Sequence, residues 1–380
     1  MLTSGDSGLA TLWDMGRSRP LLTADLGASP MIGVSRDGTL IAKAEESDSA
    51  RLYHLEMPSV VRTLPVRSSI ERDSVENSAV SVIDYSPDGR WLATSIWGAV
   101  QLRDSTGVIV GVARLGLSTN RCSVRFSRDG RSLIAVSADL GLARIPIEFS
   151  DAGVQRMGQE IPLDPEPGYL IADLSHDGAR AALTSSRGGM CKIVRLDGSP
   201  AIARWVLRRA AGAAFVHNDR ELLVNSLDDD HDALLELRDA ETGGILRAIN
   251  CHHGAHVHAS ADGSLVILGD SEARSLLLHT ANWSLGPSLP AEVQGRGTEA
   301  AFCPDGSCIA FGEGDAVCLV RVADGAVLAH LQSPQGGTYL PGIMFSPDGS
   351  QLSLWWENGQ LTFWDLRALR GELSARGLDW

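Results

Sequence analysis

Short runs of apolar residues, many of them alternating with polar positions, recur along the whole chain, and each run stops at a polar turn. Alternation with a period of two reads as half-buried β-strand, and a turn every ten residues or so makes the strands short. The most regular turns carry Asp-Gly. Two matching copies are Tyr85-Ser86-Pro87-Asp88-Gly89-Arg90-Trp91-Leu92-Ala93 and Phe345-Ser346-Pro347-Asp348-Gly349-Ser350-Gln351-Leu352. Phe126-Ser127-Arg128-Asp129-Gly130 and Phe302-Cys303-Pro304-Asp305-Gly306 are close to them. Val34-Ser35-Arg36-Asp37-Gly38, Leu174-Ser175-His176-Asp177-Gly178 and Ala259-Ser260-Ala261-Asp262-Gly263 are more distant, and Phe215-Val216-His217-Asn218-Asp219-Arg220 has no glycine. Asp-Gly supplies the positive φ angles of a tight hairpin, and a proline before it presets the entry.

The turn aspartates at 37, 88, 129, 177, 219, 262, 305 and 348 are 51, 41, 48, 42, 43, 43 and 43 residues apart. About ten residues past each turn comes a second hairpin, then a strand such as Gln101-Leu102-Arg103-Asp104, Leu235-Glu236-Leu237-Arg238-Asp239 or Leu361-Thr362-Phe363-Trp364-Asp365. Forty-odd residues and four strands per unit are the period of a β-propeller blade, which hides its two faces only against its neighbours. The expected fold is all-β, a single β-propeller of about eight four-stranded antiparallel blades. Seven blades spanning 60–366, with extra N-terminal strands, are the alternative. Residues 1–19 read as a partial blade (its last two strands), 20–366 as the propeller and 367–380 as a C-terminal helical tail. The half-blade at the start points to a piece of a longer repeat array. The long spacing of 51 reflects a polar insertion, Arg67–Asn77, placed where repeat proteins often carry function.

The chain resembles the WD-repeat family, in its bacterial form with degenerate repeats, over nearly its whole length. Trp13-Asp14 and Trp364-Asp365 stand where that family's Trp-Asp pair ends a repeat. The resemblance implies a propeller that binds proteins, and bacterial members often sit beside a kinase or a helical-repeat module. The family's Gly-His pair is missing from every repeat, so its internal hydrogen-bond network is assigned to no residue here. A TolB-like periplasmic propeller shares the Ser-Pro-Asp-Gly hairpins, but the terminal Trp-Asp pairs favour the WD-repeat resemblance.

Composition narrows the function. A net charge of −14 argues against general nucleic-acid binding, which wants a basic face to displace counterions. No apolar stretch is long enough for a membrane helix and the first residues lack a secretory leader, which leans to the cytoplasm. The six cysteines form no CxxC pair and read as buried reduced thiols. Cys303 and Cys308 flank one tight turn, so a disulfide between them is the alternative. His252, His253, His256 and His258 resemble a metal cluster without a completing carboxylate or cysteine, and Asp228–Asp232 lacks the glycine and glutamate of a calcium loop. No nucleophile elbow, phosphate loop or dinucleotide fingerprint appears. The expectation is therefore no enzyme and no cofactor.

Charge is distributed unevenly between the two rims. The second hairpins open opposite the Asp-Gly turns, and they hold Glu45, Glu46, Asp48, Asp139, Asp228, Asp229, Asp230, Asp232, Asp270, Glu272, Glu313, Asp315 and Glu357, with few basic residues. The Asp-Gly rim offsets its aspartates with Arg36, Arg90, Arg128, Arg131, Arg180 and Arg220. One acidic rim would dock a basic protein partner, although turns also favour Asp and Glu on their own account. A scaffold that binds protein is the expected function. A propeller enzyme of lactonase or hydrolase type is the alternative, and it would need carboxylates or histidines from several blades to converge on the channel.

Overall fold

The computed structural model describes 2–4, 9–14, 19–25, 32–34, 40–44, 50–54, 61–65 and most of 80–374. Within the last span it leaves out 97–98, 106, 116–121, 138–140, 151–152, 186–188, 207–209, 228–232, 252–255, 270–274, 291–292, 294–298, 314–315, 333–341 and 357–359. The chain divides into two compact units, Met1–Ser59 and Val60–Trp380.

The first unit holds two three-stranded antiparallel sheets. One is Leu2–Ser4, Leu9–Asp14 and Arg19–Asp25, and the other is Ile32–Val34, Leu40–Ala44 and Ala50–His54. Arg19–Asp25 pairs with Leu9–Asp14, across the division expected at residue 19.

The second unit is a seven-bladed β-propeller. Its innermost strands, in chain order, are Val80–Tyr85, Cys122–Phe126, Tyr169–Leu174, Ala210–Val216, His256–Ala259, Ala300–Phe302 and Gly342–Phe345. Each starts an antiparallel sheet, the first six of which run outward in sequence order, and the first neighbours the last, so the ring closes. Blade two has a fifth strand. Its ten-residue strand Gly141–Ser150 is interrupted at Pro146, which has no N–H for a ladder. Gly153–Met157 pairs with the half after the proline and Ile161–Asp164 with the half before it.

The ring has seven blades, the stated alternative to eight, and the strands of Met1–Ser59 form two sheets of their own. The outer strand of blade seven is Val61–Pro65, which pairs with Gln360–Asp365. Thr63 and Thr362 hydroxyls share a 3.2 Å hydrogen bond across this closure, and the Arg62 guanidinium lies 4.9 Å from the centre of the Phe363 ring.

Seven apolar cores hold the ring, one at each blade interface. At the closing interface Ile83, Tyr85 and Leu92 of blade one pack on Trp355, Leu361 and Phe363 of blade seven. Successive residues bury on opposite faces, as Leu222 and Val224 do toward blade three and Leu223 toward blade five. Middle strands therefore read as unbroken apolar runs, while the outer strand Ile109–Arg114 alternates between exposed and half-buried. The C-terminal helix Leu366–Ser374 starts where the Asp365 carboxylate accepts the Ala368 N–H at 2.8 Å, and it lays Leu366 and Leu369 against the core between blades six and seven.

The hairpins are wired alike. In blade one the Ser86 hydroxyl donates to Asp88 at 2.5 Å and accepts the Trp91 N–H at 2.9 Å, and Gly89 sits at φ 69°. Ser127, Ser175, Ser260 and Ser346 repeat this arrangement. The glycine-free turn of blade four keeps the shape with His217, Asn218 and Asp219 all at positive φ. Asp219 offsets that cost of roughly 1–3 kcal/mol by accepting the His176 and Asp177 N–H groups at 2.7 and 2.8 Å.

Candidate functional site

A cavity of about 1210 Å³ runs through the ring and opens among the Asp-Gly turns, where Asn218, Asp219, Asp262 and Asp305 line it. The residue one before Tyr85, Phe126, Leu174, Phe215, Ala259, Phe302 and Phe345 lines it in every blade. In order these are Asp84, Arg125, Asp173, Ala214, His258, Ala301 and Met344, and Glu299 enters from blade six two positions before Ala301. The ring thus brings three carboxylates, one guanidinium and one imidazole around one axis.

Two of the carboxylates also hold the ring. Asp84 accepts the Phe126 N–H of blade two at 2.5 Å, and Asp173 accepts the Phe215 N–H of blade four at 2.8 Å. Among the described residues none hydrogen-bonds the Glu299 carboxyl. Burial pushes Asp84 and Asp173 up to about 6, against the pull of Arg125 and of the backbone donors. Glu299 rises to about 7, again by burial and again held back by Arg125. The guanidinium is thus the shared counter-charge of all three.

The Asp-Gly rim is tied together around the mouth. Arg128 of blade two donates to the His176 carbonyl of blade three, and the turn of blade three donates in turn to Asp219. Arg180 bonds Glu241 at 2.7 Å and the Asp219 carbonyl at 2.8 Å and lies over the Phe215 ring. The turn carboxylates are occupied by their own serines. Hydrogen bonds from Ser346 and Ser350 hold Asp348 at about 2, and Asp129, Asp177, Asp262 and Asp305 also lie below their ordinary values.

The expected acidic-rim residues fall almost entirely outside the described residues. Glu45, Glu46, Asp48, Asp139, Asp228, Asp229, Asp230, Asp232, Asp270, Glu272, Asp315 and Glu357 are not described, and Glu313 is described only as a strand end. Of the histidine cluster, His258 lines the channel and His256 opens its strand, while 252 and 253 lie outside. Among the described residues no group of three or more His, Cys, Asp or Glu is arranged to hold a metal. Cys122, Cys191, Cys303 and Cys308 are free thiols. The channel residues Asp84, Arg125, Asp173 and Glu299 were absent from the sequence-based candidates. A signal for most of them was present, because superposing the repeats on their aromatic residue lines up one variable, partly charged position per blade.

No family model matches the chain, and no curated protein does. Among solved structures it is similar to the β-propeller domain of Cps50 (Swd1) from Myceliophteria thermophila, with a TM-score of 0.59 and 17% identity, over 80% of this chain and 99% of that one. The likeness is one of fold. It places the chain among the β-propellers.

Proposed function

We propose that the chain is a non-catalytic scaffold that binds a basic segment of another protein at the channel mouth and on a rim. The arrangement around the channel carries the reading: carboxylates outnumber the single guanidinium on a ring whose turns and inner strands are hydrogen-bonded from blade to blade. A stiff ring with little to rearrange suits docking, and an acidic mouth on a chain of net charge −14 suits a cationic partner. Fold likeness to the Swd1 propeller domain is in keeping with this. The test is fluorescence anisotropy with labelled Arg/Lys-rich peptides and their acidic counterparts. Basic peptides should bind more tightly, and should weaken as salt rises from 0.1 to 1 M and the Debye length falls from about 10 Å to about 3 Å. Equal affinity for both sets, or binding indifferent to salt, overturns the reading.

A second reading, a propeller enzyme, is favoured by one observation. Asp84, Asp173, Glu299 and His258 come from four blades and meet at one axis, and three of them titrate near neutrality. Against it, Asp84 and Asp173 spend an oxygen on the next blade's backbone, as a structural acceptor would. Ester or lactone hydrolysis that disappears in Glu299→Gln while the fold is retained would establish the second reading over the first.

A further inference from the structure

Blade six breaks the serine rule of its siblings. Where Ser86, Ser127, Ser175, Ser260 and Ser346 face the backbone five residues on, blade six has Cys303, and the residue five positions on is Cys308. Phe302 pairs with Ile309, so the two cysteines stand directly opposite across the hairpin, joined by a 2.9 Å bond from the Cys303 N–H to the Cys308 carbonyl. Directly opposed hydrogen-bonded residues in an antiparallel ladder have Cα atoms about 5.5 Å apart, inside the range of roughly 4.4–6.8 Å that a disulfide spans. Interaction between the two thiols lowers the pKa of Cys303 and raises that of Cys308.

The pair is also reachable. Cys303 is half-buried, and both cysteines line a surface cavity of about 620 Å³ between the turns of blades six and seven, with Arg321 and Arg370 on its wall. A volume of that order admits a small peptide-sized ligand, and its wall carries both signs of charge, Arg321 and Arg370 with Asp305 and Asp348, which suits a zwitterionic one. Cys122 and Cys191 differ on every count: both are fully buried, and burial pushes each to about 12.

We propose that Cys303 and Cys308 are a reversible modification site, closing to an intramolecular disulfide by exchange with a low-molecular-weight peptide disulfide of the glutathione class. The Cys303 thiolate attacks one sulfur of the external disulfide, whose S–S bond breaks and releases one thiol. Cys308 then gives up its proton, and its sulfur attacks Cys303 Sγ and expels the second thiol. Two protein thiols are oxidised and one external disulfide is reduced to two thiols, and excess thiol reverses both steps. Cys303 is half-buried while Cys308 is buried, so Cys303 is the thiol that an external disulfide reaches first, which sets the order of attack. The site stands whether or not the chain docks basic partners.

The test exposes the folded full chain to graded ratios of oxidised and reduced glutathione, quenches with acid, and maps free and linked thiols by mass spectrometry. The wild type should lose two thiols together and show a 303–308 link that excess reduced glutathione reopens. Cys308→Ser should stop at one glutathione on Cys303. Cys303→Ser, which restores the residue of the sibling turns, should abolish both products. Cys122 and Cys191 in the same folded sample should remain free. A wild type that keeps both thiols at every ratio, or that accumulates glutathione on Cys303 without forming the link, overturns the proposal. So does a link from either cysteine to Cys318.

Discussion

The channel carboxylates make the stability of the propeller depend on pH in a direction opposite to ordinary acid denaturation. Asp84 and Asp173 stand at about 6 in the folded ring against 3.8 when unfolded, and Glu299 at about 7 against 4.5. A carboxyl whose folded pKa is raised binds its proton more tightly in the folded state. Its contribution therefore improves as pH falls through the folded value, and the gain is complete only below the unfolded value. Each such group costs on the order of 3 kcal/mol at pH 7 relative to its protonated form, and lowering the pH to 5 recovers about 1 kcal/mol of that for each aspartate and about 2 kcal/mol for Glu299. The three gains are not additive, because Arg125 compensates all three charges and protonation of one leaves more of its field to the others.

The perturbation is the triple variant Asp84→Asn, Asp173→Asn, Glu299→Gln. Asparagine keeps a carbonyl oxygen for the Phe126 and Phe215 N–H groups, so the links between blades persist while the charges go. The assay is the thermal unfolding midpoint of wild type and variant at half-unit steps from pH 8 to pH 5. The wild type should rise as pH falls across this window. The variant should start higher at pH 8 and rise much less. Below pH 4 both should fall together, as Asp348 and the other turn aspartates, held below their ordinary values, are protonated. Parallel curves for the two proteins between pH 8 and 5 would refute the assignment of buried, raised carboxyls to the channel.

Three further outcomes follow from single features. Lys192 is 1% exposed and bonds Asp164 at 2.7 Å and Glu166 at 3.1 Å over the Tyr169 ring, so Lys192→Met should cost about 3–5 kcal/mol in chemical denaturation by stranding those carboxylates. Gly263 sits at φ 67° with the space for a Cβ only 3.0 Å from the Val216 Cα, so Gly263→Ala should lower stability by about 1–3 kcal/mol, whereas Gly306→Ala, with the same φ sign and open space, should cost less. A chain begun at Val80 lacks the outer strand of blade seven. It should melt earlier and be cleaved by protease within 342–366 while wild type is resistant.

The repeat was legible because its turns need particular residues. Gly89, Gly130, Gly178, Gly263, Gly306 and Gly349 all take positive φ, and an Asp before each is bound by a serine or cysteine two residues earlier, so the backbone demand is written in the letters. Blade phase has no such letter. Whether Val61–Pro65 joins the hairpin after it or the sheet at the other end of the chain depends on ladder partners 299 residues away, such as Thr63 with Thr362. Outer strands give little help, since Ile109–Arg114 and Ala203–Val206 alternate weakly and leave Val112 and Val206 exposed. The turn-rich acidic hairpins drew the search for a site because charge at a loop is visible locally.

The channel shows why the same search passed over the residues nearest the axis. Asp84, Arg125 and Asp173 are single charged letters inside short apolar strands, each the kind of position that looks like noise in a β-pattern when one strand is read alone. Sevenfold closure turns a position that varies from blade to blade into a ring, and only the ring puts Asp84, Asp173 and Glu299 within the field of one arginine. The same logic separates structure from function within that ring. Residues that the blades need to hold one another, such as the two aspartates that accept the next blade's N–H, are fixed by the backbone. Glu299, which none of the described residues hydrogen-bonds, makes no such link, and its charge is balanced only through the field of Arg125.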